Sequence, residues 1–122
     1  MRFIIGGAAP LENRFLCRAT EEYFAGRKLS VELRTLRSFR ETKEAGFRPA
    51  EANAAVIGFG SVEGFLCARR IREANPSCAI ILIDDTDEYA IRAMRLHAAD
   101  FLLRPVTAER YRKALDRIMG IR

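Results

Sequence analysis

The stretch IRAMRLHAADFLLRPV, from Ile91 to Val106, decides how the rest of the chain is organised. It begins with the apolar spacing of a helix, breaks at Leu96-His97, and continues as a short apolar strand from Asp100 to Leu103. The strand stops at Arg104-Pro105, because proline cannot donate to a sheet ladder and restricts the residue before it. Strand and turn are therefore fixed together, and a further helix follows.

Four more strands are predicted upstream of this stretch. Arg2 to Ile5 is a short apolar run that ends at glycine, and Ala54 to Phe59 is predicted to be a central strand. Cys78 to Ile83 lacks polar alternation, as expected of a strand buried on both faces. The run from Leu29 to Leu33 alternates apolar and polar residues, which is typical of an edge strand with one exposed face.

Five helices are predicted to alternate with the five strands. Each has a residue suited to an N-cap or a first turn: Pro10, Ser38, Ser61, Asp85 and Thr107. The second helix is short and ends near Gly46, and on the fourth we expect Ala93 and Met94 to face inward. Short connections between parallel strands predict a doubly wound α/β sheet, with any site at the carboxyl ends of the strands.

Composition limits the classes of function. The 122 residues are 49% apolar and 30% charged, as in a soluble globular domain. Cys17, Cys67 and Cys78 are odd in number and form no C-x-x-C pair, so we expect reduced thiols in a cytoplasmic protein and neither a disulfide framework nor a zinc site. The first apolar run, from Phe3 to Pro10, is too short for a signal or membrane segment, so no membrane association is predicted.

The net charge of +5 permits two interpretations. A basic chain suits nucleic acid, but no aromatic-basic motif or recognition helix accompanies the charge. A solvated basic face is the interpretation that the sequence favours.

The final stretch resembles the fourth helix, fifth strand and Lys-Pro turn of bacterial response-regulator receiver domains. In receivers attached to LytTR-type DNA-binding domains the corresponding sequence is A-x-D-Y-L-L-K-P-V; here Phe101 replaces the tyrosine and Arg104 the lysine. The sequence RFIIGGAAPL (2–11) is similar to R-I-L-I-V-D-D-E-P-L, GFLCARRIR (64–72) to part of D-G-L-E-L-A-R-R-I-R, and DEYA (87–90) to D-E-Y-A. This resemblance implies one receiver-like domain over 1–122, with a five-stranded (βα)5 flavodoxin/CheY-like fold in three αβα layers.

The positions that carry receiver chemistry have changed. In that family an acidic pair after strand one holds Mg²⁺, an aspartate after strand three accepts phosphoryl, and Ser/Thr and Lys after strands four and five respond to it. The corresponding residues here are Gly7, Ala8, Gly58, Asp84 and Arg104. The resemblance therefore implies a degenerate phosphorylation pocket, with no catalytic residues, no bound metal and no cofactor.

Two of these replacements suggest a contact. Asp84 and Arg104 would end neighbouring strands, so we expect them to form a salt bridge across the emptied pocket and to hold strand five, including Phe101, in one position. The alternative is that both side chains point into solvent and contribute little.

A pseudo-receiver that acts by phosphorylation-independent protein interaction or dimerisation is the first functional hypothesis. Family members commonly bind partners or a second copy through the face formed by the fourth helix, the fifth strand and the fifth helix. Here that switch and interface region is Phe101, Arg92, Arg95, Arg110, Lys113 and Arg117. Its basic residues would suit an acidic partner, or they would only maintain solubility. The resemblance leaves two alternatives open: a stand-alone domain, or a piece of a transcription regulator whose C-terminal DNA-binding effector domain is absent from this chain.

A nucleotide or small-molecule sensor is the alternative hypothesis. Gly58, Gly60 and Gly64 follow a strand and open a helix as G-x-G-x-x-x-G, and Asp84 ends the next strand. These are features of a dinucleotide-binding loop. However, the motif lies at the third strand, and too few strands follow to complete a dinucleotide fold.

Overall fold

The computed structural model describes residues 1–121, so Arg122 lies outside the described part. Within it, five strands form one parallel sheet in the order β2-β1-β3-β4-β5. The strands are β1 (Arg2–Gly6), β2 (Glu32–Thr35), β3 (Ala54–Ile57), β4 (Ala79–Asp84) and β5 (Asp100–Leu103). The α-helices are α1 (Pro10–Gly26), α2 (Ser61–Ala74), α3 (Ala90–Arg95) and α4 (Ala108–Ile118). The predicted doubly wound parallel sheet is confirmed, and β2 is an edge strand as predicted.

The sheet separates two hydrophobic cores. Alternation along β1 sends Phe3 and Ile5 into the core shared with α1 and α4, and Ile4 into the core shared with α2 and α3. Buried aromatic residues such as Tyr111 fill the first core, whereas Ile71 and other aliphatic residues fill the second. Helices on both faces of the sheet produce the three αβα layers. None of the helices within residues 1–121 is long and apolar enough to cross a membrane.

The predicted second α-helix, from Ser38 to near Gly46, is wrong. The segment between β2 and β3 contains two 3-10 helices, Phe39–Lys43 and Pro49–Glu51. The expected capping box does not form, because the side chain of Ser38 makes no capping hydrogen bond and the Glu41 carboxylate accepts from the amide of Arg37 instead. This face of the sheet is therefore covered by short turns rather than by a full helix.

The predicted helix caps have mixed outcomes. Thr107 caps α4 as predicted, since its hydroxyl oxygen accepts from the amide of Arg110 at 3.2 Å. Ser61 is instead the first residue of α2, with Gly60 in the N-cap position. Asp85 does not cap the fourth predicted helix, because that helix, α3, begins only at Ala90.

Helix α3 is short, and most of its side chains are exposed to solvent. Ala93 is fully buried as predicted, but Met94 is 71% exposed, so its predicted inward orientation is wrong. With six residues, α3 makes less than two turns. Adjacent helical residues lie about 100° apart around the axis, and here only Ala93 points toward the second core.

Candidate functional site

The carboxyl edge of the sheet brings the predicted pocket residues together. Parallel pairing aligns Gly6 with Ile57 and Asp84 with Leu103, so the turns that follow β1, β3, β4 and β5 lie along one edge. Gly7 and Gly58 are buried at this edge, whereas Ala8 is exposed. The Arg104–Pro105 peptide bond, which directly follows β5, is cis.

Arg104 spans the centre of this edge. Its Nε donates to Oε2 of Glu12 at 2.8 Å, and its Nη2 donates to Oε1 of the same carboxylate at 2.8 Å. Nη2 also donates to the carbonyl oxygen of Gly58 at 2.5 Å. The arginine thus forms a two-point ion pair with the first turn of α1 and a hydrogen bond to the end of β3.

Gly58 is the residue that makes room for this pair. A Cβ atom at position 58 would lie 2.7 Å from Oε1 of Glu12 and 3.0 Å from Nη2 of Arg104. The space that a side chain at the end of β3 would need is therefore occupied by the carboxylate and the guanidinium.

The turn after β1 likewise has no room for side chains at its two glycines, Gly6 and Gly7. A Cβ atom at Gly6 would lie 2.7 Å from the Phe59 ring, which packs against the second core. A Cβ atom at Gly7 would lie 2.9 Å from the backbone nitrogen of Asn13, whose side-chain oxygen accepts from the Gly7 amide at 2.6 Å. Both glycines are thus in close contact with neighbouring groups.

The predicted Asp84–Arg104 salt bridge is wrong. Asp84 is buried, and its Oδ2 accepts from the Ser61 amide at 2.9 Å while its Oδ1 accepts from the Asp85 amide at 2.7 Å. The Asp84 carboxylate therefore connects β4 to the start of α2, whereas Arg104 pairs with Glu12 at 2.8 Å and with Asp85 at 3.6 Å.

The surroundings of Glu12 and Arg104 favour the charged form of both side chains. Burial alone would raise the pKa of the Glu12 carboxyl, but the hydrogen bonds from Arg104 and from the Ala8 amide, together with the arginine's charge, lower it below its usual value. The hydrogen bond to Glu12 raises the pKa of Arg104. At neutral pH the edge therefore holds a carboxylate and a guanidinium that are both ionised.

These residues do not fit the Mg²⁺ that receiver chemistry uses. Gly7, Ala8 and Gly58 offer no side-chain oxygens, and the oxygens of Glu12 and Asp84 already accept hydrogen bonds. Within residues 1–121, no group of three or more His, Cys, Asp or Glu side chains is arranged to hold a metal ion. Hard cations require several free oxygens, so no step through a metal ion follows from this site.

The glycine loop from Gly58 to Gly64 is occupied by the protein's own groups. Gly60 has a φ of +82°, which a glycine adopts without strain. The amide of Ser61, at the start of α2, donates to the Asp84 carboxylate at 2.9 Å. A phosphate approaching this helix start would meet a negative charge, which argues against pyrophosphate binding there.

The predicted interface residues lie on α3, β5 and α4. Phe101 is half-buried and packs against the second core, and the guanidinium of Arg92 lies 5.2 Å from the centroid of the Tyr89 ring. Arg95 is exposed. Beside them, Ile91 is 67% exposed, so α3 presents apolar and basic side chains on one surface.

The α4 part of this surface is tied to the protein by polar contacts. Arg110 donates from Nη1 to the carbonyl oxygens of Leu103 at 2.7 Å and Pro105 at 3.0 Å. The exposed Lys113 pairs with Glu109 at 3.5 Å, and Arg117 pairs with Asp100. These interactions leave the guanidinium and ammonium groups accessible, since all three basic residues are exposed.

The fold of this chain is similar to folds among solved structures. Neither a family model nor a curated protein matches the sequence. Among solved structures, the response regulatory domain of protein mrkE from Klebsiella pneumoniae is 21% identical, with 98% of this chain and 96% of that chain covered and a TM-score of 0.77. The REC domain of the response regulator AraT from Geobacillus stearothermophilus is also 21% identical, with 98% and 92% covered and a TM-score of 0.76.

The chain has the receiver fold. A signal receiver domain of a two-component histidine kinase from Clostridium thermocellum is similar over 98% of both chains, with a TM-score of 0.77 at 12% identity. At these identities the likeness concerns the fold, and the site must be interpreted from its own residues. In this version of the receiver fold, the carboxyl edge holds Gly7, Gly58 and a Glu12–Arg104 pair.

Sequence reasoning missed three residues of the site, Glu12, Asn13 and Phe59. Glu12 carried a signal, because it lies in the first turn after Pro10, at the same sheet edge as Arg104. Phe59 lies between two glycines, and nothing in the sequence distinguishes a ring that packs over Gly6 from one that packs elsewhere.

Proposed function

We propose that this chain is a pseudo-receiver, a single regulatory module of a two-component or transcriptional regulator that acts by protein-protein interaction without phosphorylation. The observation that carries the proposal is the occupied space beside Gly58, where a Cβ atom would lie 2.7 Å from Glu12 Oε1. A phosphoryl acceptor after β3 would need that space, and a cation beside it would need the carboxylate oxygens that Arg104 engages.

The Glu12–Arg104 pair also supports a module that stays in one conformation rather than switching between two. Receiver signalling requires the turn after β5 to respond to a new charge at the end of β3. Here Arg104 already contacts a carboxylate and the Gly58 carbonyl. Because the arginine is satisfied without a phosphoryl group, the module is proposed to present one constant surface to its partner.

The proposed contact surface is the one formed by α3, β5 and α4. Its apolar centre is Ile91 and Met94, 67% and 71% exposed, which lie three residues apart on one side of α3. Arg92, Arg95 and the basic residues of α4 surround them. An apolar centre with a basic rim suits an acidic protein partner. Dimerisation through this face and a C-terminal DNA-binding effector domain stay predictions.

Incubation with Mg²⁺ and acetyl phosphate, followed by intact-mass measurement, tests the phosphorylation-independent function. We expect no mass increase by a phosphoryl group, and no rise in melting temperature with Mg²⁺ and beryllofluoride, because glycine follows β3 at the acceptor position and Arg104 engages the Glu12 carboxylate. A functional receiver treated in parallel confirms that the reagents are active. A phosphorylated species, or a melting-temperature rise specific to beryllofluoride, would overturn the proposal.

A further inference from the structure

A concave site lies at the opposite end of the sheet from the Glu12–Arg104 pair. It has a volume of about 270 Å³ and is formed where β1 and β2 meet the 3-10 helix Pro49–Glu51. The segment between β2 and β3 forms no α-helix, so two short turns cover this part of the sheet. A volume just below the range of about 300–1,000 Å³ for ligand pockets limits an occupant to a small molecule.

The strand register places the charges of this pocket on one face. Ile4 pairs with Arg34 and Arg2 pairs with Glu32, so these four side chains project from the same side of the sheet. Arg48, immediately before the 3-10 helix, contributes another guanidinium to the lining.

The acidic residues of the pocket are already engaged, but two of the arginines are not. Arg2 pairs with Glu32 at 2.9 Å and with Glu51 at 3.7 Å. Arg34 and Arg48 have no carboxylate partner within 4.0 Å among residues 1–121. Three arginines and two glutamates leave one net positive charge, carried by guanidinium groups that are free to bind an oxyanion.

We propose that this pocket binds a small organic monoanion, specifically a monocarboxylate with a compact apolar body. Arg34 and Arg48 would donate to the carboxylate oxygens, a geometry to which guanidinium is suited. The side chains of Ile4 and Ala52, which line the pocket, would contact the apolar body. Glu32 and Glu51 would repel a second negative charge, so a phosphomonoester dianion is disfavoured. This inference does not depend on the proposed pseudo-receiver function.

The test is an NMR titration of the isotope-labelled full chain with benzoate, phenylacetate and isovalerate. We expect at least one of these carboxylates to produce saturable shifts of the backbone amides in β2 and in the segment 48–52. Benzamide, which has the shape of benzoate without its charge, should produce no saturable shift, and phenyl phosphate should bind more weakly than the best carboxylate. An equal effect of benzamide would overturn the role of the arginines.

Two sets of variants separate binding from general charge effects. Arg34→Gln with Arg48→Gln should weaken binding by at least about tenfold, the effect of losing charge-assisted hydrogen bonds. The milder pair Arg34→Lys with Arg48→Lys keeps the charge and should weaken binding less. A control with equal net charge, Arg14→Gln with Arg18→Gln, changes exposed arginines of α1 outside the pocket and should bind like the unchanged protein. The absence of saturable shifts for all three carboxylates, or unchanged binding by the glutamine double variant, would overturn the proposal.

Discussion

The carboxyl edge of the sheet and the outer surface of α4 use the same kind of ion pair in different surroundings. At the edge, the side chains of Glu12 and Arg104 are 19% and 18% exposed, and their contact is a two-point one. On α4, Glu109 and Lys113 are 69% and 61% exposed, at a separation of 3.5 Å. Solvent screens the second pair and its side chains are free to move, so we expect the first pair to contribute far more to stability.

Breaking the edge pair should have the largest effect. Arg104→Met removes the guanidinium but keeps an apolar stem, which leaves the Glu12 carboxylate and the Gly58 carbonyl without their partner. We expect a loss of about 2–3 kcal/mol in the free energy of unfolding, somewhat below the cost for fully buried pairs because this pair is partly hydrated. Urea denaturation of the unchanged protein and of the Arg104→Met variant measures this loss.

A double-mutant cycle sharpens the comparison between the two pairs. Combining Arg104→Met with Glu12→Gln should cost less than the sum of the single changes, because the two groups interact directly. The matched cycle, Lys113→Met with Glu109→Gln, should show a coupling of only about 0.3–0.5 kcal/mol. Equal coupling energies in the two cycles would contradict the importance given to burial.

A methyl group at the edge should have the next largest effect. Gly58→Ala places a Cβ atom within 2.7 Å of Glu12 Oε1, so the pair must shift. We expect a loss of about 1–3 kcal/mol, typical of overpacking. Gly26→Ala, at the end of α1, meets nothing within 4 Å and should be neutral or stabilising by about 0.4–1 kcal/mol. Thermal unfolding of both variants compares them, and similar melting temperatures would show that the edge is more adaptable than described.

The pH dependence of stability should be the smallest of these effects. Because the pKa of Glu12 is lower in the folded protein than in the unfolded chain, its contribution is present above the unfolded value of about 4.3. That contribution is lost as the pH falls through the lower folded value. The stability difference between the unchanged protein and Glu12→Gln should therefore shrink in acid, measured by denaturation between about pH 3 and pH 7. A difference that stays constant across this range would show that Glu12 acts by packing alone. Glu109→Gln, which changes an exposed carboxylate, is the control.

The local pattern of the chain was sufficient for the fold. The Asp100–Leu103 strand ended by Arg104-Pro105 and the apolar run that became β4 predicted a parallel sheet, and the alternating run from Leu29 to Leu33 predicted an edge strand; the structure confirms both. These patterns predict strands correctly because a strand buried on one face alternates apolar and polar residues, whereas a strand buried on both faces is apolar throughout. The second helix was the exception, since its sequence allowed a short α-helix and the chain formed 3-10 turns.

The sequence by itself determined that Gly7, Gly58, Asp84 and Arg104 would share one edge, because the carboxyl ends of parallel strands do so. Only the tertiary structure decided which carboxylate Arg104 would bind. Asp84 satisfies both of its oxygens with the amides of Ser61 and Asp85, whereas Glu12, 92 residues from Arg104 in the chain, reaches the guanidinium from the first turn of α1. That choice depends on competition among donors and acceptors in three dimensions, which residue spacing along the chain does not encode.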